Sequence, residues 1–228
     1  MIVSISIIKY PLRYVPFAFF AMALHRIPLL LNKKCKFWKL MGCGKNGTFD
    51  INPDLRKWGL LAVWDKPEDY EQFRTHSFVS KWWNFFSMEQ FTVLLEPLES
   101  HGKWSGQSPF GDAKIKDHVG KIAILTRATI RFNRLQNFWR NVPPIANIMG
   151  DAKGFITSIG IGEAPYFMQA TFSVWESLED VKNFAYKSKE HAEVIKLTRT
   201  ENWYKEELFA RFRIINSSGT IDGINPIK

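Results

Sequence analysis

Two cysteines in 228 residues leave little room for disulfide chemistry. Cys35 and Cys43 lie in one short segment with seven residues between them, which matches neither a disulfide framework nor a CxxC metal pair. A reducing cytoplasm is the simplest setting. A cleavable leader is not expected either, because MIVSISIIKYPLRY puts its charges after the apolar part and offers no small-residue cleavage site. An unbroken apolar run of membrane length is missing: residues 14–31, YVPFAFFAMALHRIPLLL, contain Pro16, His25, Arg26 and Pro28. A buried or interfacial amphipathic helix is the better expectation for that stretch. No Ser-His-Asp order, HExxH or EF-hand pattern occurs, and His25, His76, His101 and His118 lack ligand-like spacing. The aromatic K/R-G-F/Y-G/A-F-V-x-F/Y run of RNA-recognition domains is absent as well, so no nucleic-acid partner is expected. Acidic residues are scarce, 22 against 31 basic ones, and the net charge of +9 favours anionic partners without choosing among them.

What is present is a core-forming chain. Hydrophobic residues make up 46% and aromatic residues 15%, enough to fill a core and to line an apolar pocket. Lys33, Lys34, Lys36 and Lys39 are interleaved with Cys35, Phe37 and Trp38; such a cluster is a solvated loop or a contact with anionic headgroups. VWDKPEDYEQF at 63–73 resembles VWESLEDVKNF at 174–184, an offset of 111 that pairs Trp64 with Trp175 and Phe73 with Phe184. KLMGCGKNGTF at 39–49 likewise resembles NIMGDAKGF at 147–155. The expectation is an α+β fold, one domain over 1–228, in which two ferredoxin-like repeats form a dimeric-α/β-barrel type fold in one chain. Its halves, 1–76 and 120–215, are joined by an insert at 77–119 read as a crossover and lid.

Three local signals bear on chemistry. Gly42, Gly44 and Gly47 satisfy G-x-G-x-x-G, but TFDINPDL follows where a helix is required, so a glycine turn or bulge beside a pocket fits better than a dinucleotide site. In the expected strand 121–132, Arg127 and Arg131 share a side with Ala123, Leu125 and Thr129. Facing a cavity they would serve as anion or oxygen-ligand contacts; facing solvent they are ordinary surface arginines. Steps of three and four residues link Val181, Phe184, Ala185, Ser188, His191, Ala192 and Ile195, which places His191 on the core side of a helix begun by a Ser177-Leu178-Glu179-Asp180 capping box. A neutral imidazole there is a haem-iron ligand or a packed core residue.

Five ordered segments carry a resemblance: FWKLMGCGKNGTFDINPDLRKWGLLAVWD at 37–65, GKWSGQSPF at 102–110, LTRATIRF at 125–132, FWRNVPP at 138–144 and WYKEELFARF at 203–212. With the histidine helix, they resemble the spheroidene monooxygenase family. The resemblance implies a haem-dependent enzyme that uses dioxygen to oxidise acyclic carotenoids, with haem b as cofactor, a separate electron donor, and homo-oligomerisation as the family-level expectation. The family's histidine upstream of the W-Y-x-E-E-L-F-A-R-F run falls on His191, the implied metal ligand. Arg127 and Arg131 become candidates for propionate or distal catalytic contacts, and Trp104, Ser105 and Phe110 for the substrate border. An apolar substrate implies peripheral membrane contact. Haem-bearing members of this barrel type include aldoxime dehydratases, so a dehydrating or nitrogen-oxidising haem enzyme is one rival and a non-enzymatic carrier of apolar ligands another.

Overall fold

The computed structural model describes residues 1–45, 52–111, 118–187 and 189–228, with the side chains of all of these except 142–147, 186–187 and 189–192. The chain runs β1 (Ile2–Lys9), α1 (Val15–Leu24), α2 (Arg26–Leu31), β2 (Cys35–Gly44), β3 (Pro53–Trp64), α3 (Pro67–His76), α4 (Phe78–Phe86) and β4 (Glu89–Gly102). It then repeats the pattern as β5 (Ile122–Ile130), α5 (Leu135–Gly150), β6 (Phe155–Ala164), β7 (Met168–Trp175), α6 (Leu178–Lys187), α7 (Lys189–Thr200) and β8 (Tyr204–Gly219). All pairings are antiparallel and the barrel closes in the order β1-β3-β2-β6-β7-β5-β8-β4. Each half thus has the ferredoxin-like order 4-1-3-2, and the halves meet at β2–β6 and β4–β8.

The segment expected as a crossover and lid is neither over most of its length. Residues 78–86 form α4 and 89–102 form β4, which pairs with β1 and, from Phe91 to Gly102, with β8. Without that strand the first half would leave β1 unpaired on one edge, and closure removes the edge. The histidine helix is likewise two helices, α6 and α7; position 188 between them lies outside the described residues. Its capping serine works as expected on one side, since the Asp180 amide donates to Ser177 Oγ at 3.1 Å. The acid accepts from the serine hydroxyl instead of a backbone amide, with Ser177 Oγ donating to Asp180 Oδ2 at 2.6 Å.

The duplication extends to side-chain contacts. Ile2 pairs with Trp64 across β1–β3, and Ile122 with Trp175 across β5–β7. Trp64 packs on Phe73 with ring centroids 4.9 Å apart, and Trp175 on Phe184 at 5.3 Å. Inside the barrel, Val3, Ile5, Leu61, Leu125, Phe172 and Phe212 form part of one continuous buried cluster, as an eight-stranded barrel of this size requires. Helices cover the outside of each half-sheet, so β5 is apolar on both faces.

His25 joins α1 to α2 and is 1% exposed, with its ring edge-on to Phe78, Trp82 and Trp83. Burial among these rings pushes its pKa from 6.5 down to about 4, and Nε2 has no hydrogen-bond partner among the described residues. The folded state therefore holds the ring neutral where the unfolded chain takes up a proton. Stability is intact above pH 6.5 and is withdrawn as pH falls toward 4, by an amount on the order of 3 kcal/mol in the limit. Urea unfolding at neutral and at mildly acidic pH should show this loss in wild type and a smaller one in His25→Phe; equal losses would remove His25 as the cause.

Candidate functional site

Between the outer face of β5, β7 and β8 and the helices α5, α6 and α7 lies a cavity of about 420 Å³, within the range of cofactor sites, roughly 300–1,000 Å³. Strand alternation delivers its floor. Thr126 stands beside Thr171 and Phe209, and Ile124 beside Ser173 and Arg211. The roof is apolar: Phe138 and Met149 from α5, Val181 and Phe184 from α6, Val194 and Ile195 from α7. The corresponding space in the first half is about 200 Å³, because Tyr70, Phe73 and Trp83 occupy it. The repeat explains part of the difference. At the offset of 111, Leu60 and Ala62 of β3 correspond to Thr171 and Ser173 of β7.

Three polar atoms of the lining are buried without a partner among the described residues: Thr171 Oγ1, Arg211 Nε and Arg127 Nε. An unmet buried polar atom costs about 1–3 kcal/mol, a cost that a polar ligand atom in the cavity would remove. Ser173, by contrast, accepts from Trp175 Nε1 at 3.0 Å. Arg211 is anchored by Nη1 to Glu99 at 2.7 Å and lies 5.3 Å over the Phe209 ring, on which His101 stacks at 5.0 Å. Lys182 and Arg199 add cations to the lining. An apolar slab with basic residues at its border suits a flat hydrophobic group that carries carboxylates at one edge, and these residues fit haem.

The structure distributes the expected site residues unevenly. His191 lies on α7, one turn before Val194 and Ile195; its side chain lies outside the described residues. Arg127 and Arg131 do not share a strand face. β5 ends at Ile130 after a register shift, and Arg131 is exposed where the chain turns into a short 3-10 helix, its amide donating to Trp203 O at 2.8 Å. Arg127 faces the barrel interior, 2% exposed, and its guanidinium is held by Glu206 through Nη1 and by Glu163 at 3.4 Å, 5.5 Å from the Trp104 ring. Those carboxylates match its charge through the Nη atoms, while its Nε has no hydrogen-bond partner among the described residues and the residue also lines the cavity.

Trp104, Ser105 and Phe110 do not border the cavity. Trp104 (0% exposed) and Phe110 (1% exposed) enter the barrel core, packed against Phe37 and Phe212. Ser105, at φ 54, and Gly106, at φ 76, form the tight turn that turns Trp104 inward. Their amides donate to Glu206 at 2.9 and 2.7 Å. Trp104 Nε1 donates to Glu163 at 2.5 Å, and Lys39 Nζ pairs with Glu163 at 2.9 Å. Burial raises the Glu206 carboxyl pKa, but the two backbone donors and Arg127 outweigh it and hold the group below the usual carboxylate range. This loop is a plug that fills the lumen.

A family model described as a domain of unknown function, DUF3291, matches residues 118–212, the half that carries the cavity. The spheroidene monooxygenase of Rhodobacter capsulatus is 33% identical over 214 residues, 93% of this chain and 89% of that protein. The chain belongs to the spheroidene monooxygenase family. The Cereibacter sphaeroides spheroidene monooxygenase is 38% identical over 90% of the chain, which spans 62% of the length of that relative. Among solved structures, an aldoxime dehydratase superposes with a TM-score of 0.61 at 11% identity, covering 93% of this chain and 80% of the other. A second aldoxime dehydratase, in complex with butyraldoxime, gives 0.59 at 10% identity over 94% and 79%. At those identities the likeness establishes the fold.

For this member of the spheroidene monooxygenase family, the residues that reading the sequence missed are Thr126, Thr171, Ser173 and the basic lining of His101, Lys182, Arg199 and Arg211. The signal for two of them was available. Aligning the repeats at 111 shows hydroxyls in β7 where β3 has hydrocarbon, a polar change on a helix-covered face.

Proposed function

We propose that the protein is a haem-dependent monooxygenase that uses dioxygen to hydroxylate or ketolate an apolar, acyclic carotenoid. The cavity under α7 supports this reading best: it is apolar, basic at its border, and carries three unmet polar atoms, on the half where the repeat departs from its twin. His191 would hold the iron from the helix side, while Arg211, Lys182 and Arg199 would meet the propionates. Bound haem would supply the activation of dioxygen. The protein's own part is to exclude water with Phe138, Val181, Phe184 and Ile195 and to present the Thr171 hydroxyl from the sheet. In hydroxylation one oxygen atom enters a C–H bond and the other leaves as water, with two electrons from a separate donor and two protons; ketolation takes a second such round at the same carbon, after which the geminal diol loses water. A substrate dissolved in lipid also calls for contact with a bilayer.

Aerobic turnover of an acyclic carotenoid under labelled dioxygen, with a reductant, tests the reaction: the product should carry the label. Product without label, or aldoxime turnover by the reduced protein in the absence of oxygen, would favour a dehydrating enzyme of the same fold. Absence of a Soret band after expression with ample haem would leave the apolar-ligand carrier.

Thr171 gives a finer test. Thr171→Val keeps the shape and removes the hydroxyl, so the unliganded protein should be no less stable than wild type, since an unmet buried group has gone. The haem-loaded variant should bind cyanide about three- to tenfold differently from wild type, the equivalent of one hydrogen bond, and Thr171→Ser should behave as wild type. Identical cyanide affinities would place the hydroxyl away from the ligand.

A further inference from the structure

Residues 1–49 contain eight lysines and arginines, at 9, 13, 26, 33, 34, 36, 39 and 45, and no aspartate or glutamate. Four of these cations are matched by carboxylates from elsewhere in the fold: Lys9 by Glu89 and Asp222, Lys34 by Asp69, Lys36 by Asp65, and Lys39 by Glu163. Arg13, Arg26 and Lys33 are exposed and have no carboxylate partner among the described residues. They lie around α1 and α2.

Those helices are packed the wrong way round for a soluble surface. Toward the barrel they bury only small or single residues, Ala18 and Ala21 from α1 and Leu29 from α2. Toward solvent they present Phe19, Phe20, Leu24, Ile27, Leu30 and Leu31, the last two 71% and 75% exposed. The patch continues onto α4, where Phe86 stacks on Phe17 at 4.6 Å and touches Phe85, itself 72% exposed. Soluble monomers rarely leave contiguous apolar surface beyond a few hundred Å² uncovered.

Leu12–Leu31 is long and apolar enough to cross a membrane by length and composition. In the fold it does not leave the barrel. Pro28 cannot donate to the Leu24 carbonyl, the helix is interrupted at His25, and His25, Ala21 and Leu29 are buried against the protein. The segment therefore lies along the surface, with one face free.

We propose that α1 and α2 form a docking face for an anionic lipid bilayer, in which Phe20, Ile27, Leu30 and Leu31 enter the acyl boundary and Arg13, Arg26 and Lys33 meet the headgroups. Charge selects this occupant. A second copy would set the same three cations against their own counterparts, whereas acidic headgroups complement them. The face covers the first half-sheet and the cavity lies over the second, so docking leaves the cavity uncovered. The proposal depends on neither the haem nor the carotenoid.

Flotation of the full chain with phosphatidylcholine vesicles, with and without phosphatidylglycerol, tests it. Wild type should float with the anionic vesicles. Leu30→Glu with Leu31→Glu should weaken that binding roughly tenfold or more, because both side chains would carry charge into hydrocarbon. Reversing Arg13 and Arg26 to glutamate should remove the preference for phosphatidylglycerol, each cation near an acidic surface being worth about fivefold. All four substituted positions are exposed, and unchanged thermal unfolding checks that the variants fold. Wild type that stays with the soluble fraction, or a leucine variant that floats as well as wild type, overturns the proposal. A wild-type dimer that the leucine variant dissociates, without vesicle binding, assigns the face to a second copy.

Discussion

His191→Ala protein, produced with ample haem, is expected to lose the Soret band that wild type shows and to bind added haem on the order of 100-fold more weakly. The expectation rests on position. α7 supplies Val194, Ile195 and Thr198 to the cavity, and residue 191 is one helical turn before the first two. Thr126 and Thr171 line the same cavity from the sheet and would border a group held there. Loss of a residue that merely orients a metal ligand costs 10–100-fold, so loss of the ligand itself should cost at least the upper end. Two other histidines serve as controls. His101 stacks on Phe209 at the cavity wall and His25 is caged in the first half, so His101→Ala and His25→Phe should keep the band. If His101→Ala loses it and His191→Ala does not, the iron is held from the strand side and the roles assigned to helix and sheet exchange.

The repeat carried most of the fold. Trp64 and Trp175, Phe73 and Phe184 announced two equivalent strand-helix units, and the structure puts each pair in the same register and ring contact. β4 was the strand least legible in the sequence, since Pro97 in LLEPLE argues against a central strand. The barrel accommodates it with a register shift between Pro97 and Glu99 on the β8 side. Pro143 and Pro144 argue against a continuous helix, yet α5 runs from Leu135 to Gly150, the fixed φ of proline being itself helical. The site was harder to read because β5 is apolar on both faces. Alternation separates Thr126 from Arg127, but nothing in a single strand says which face a helix-covered cavity will meet, and here the cavity reaches both residues. In the closed barrel Arg127 pairs with the plug carboxylates through its Nη atoms and also lines the cavity beside Thr126.

Glu206→Ala should destabilise the protein by about 3 kcal/mol, measured by urea unfolding with an unchanged slope. The cost comes from Arg127, whose guanidinium is 2% exposed and loses the partner at Nη1, while the amides of Ser105 and Gly106 lose their acceptor. Breaking a buried pair from one side costs about 3–5 kcal/mol, and the lower end applies because Glu206 is 23% exposed and Glu163 still stands 3.4 Å from Arg127. Adding Arg127→Met should recover part of the loss, since an uncharged side chain of similar reach leaves no charge to desolvate inside the lumen. The pH dependence has a fixed sign. Glu206 titrates below its ordinary value of 4.5 in the fold, so its contribution is complete above that pH and is lost as pH falls through the depressed folded value. In Glu206→Ala that part of the acid loss should disappear while the His25 part, which sets in from pH 6.5 downward, remains. A cost below about 1 kcal/mol for Glu206→Ala would mean that Glu163 alone satisfies Arg127, and that the plug is held by Trp104 packing rather than by charge.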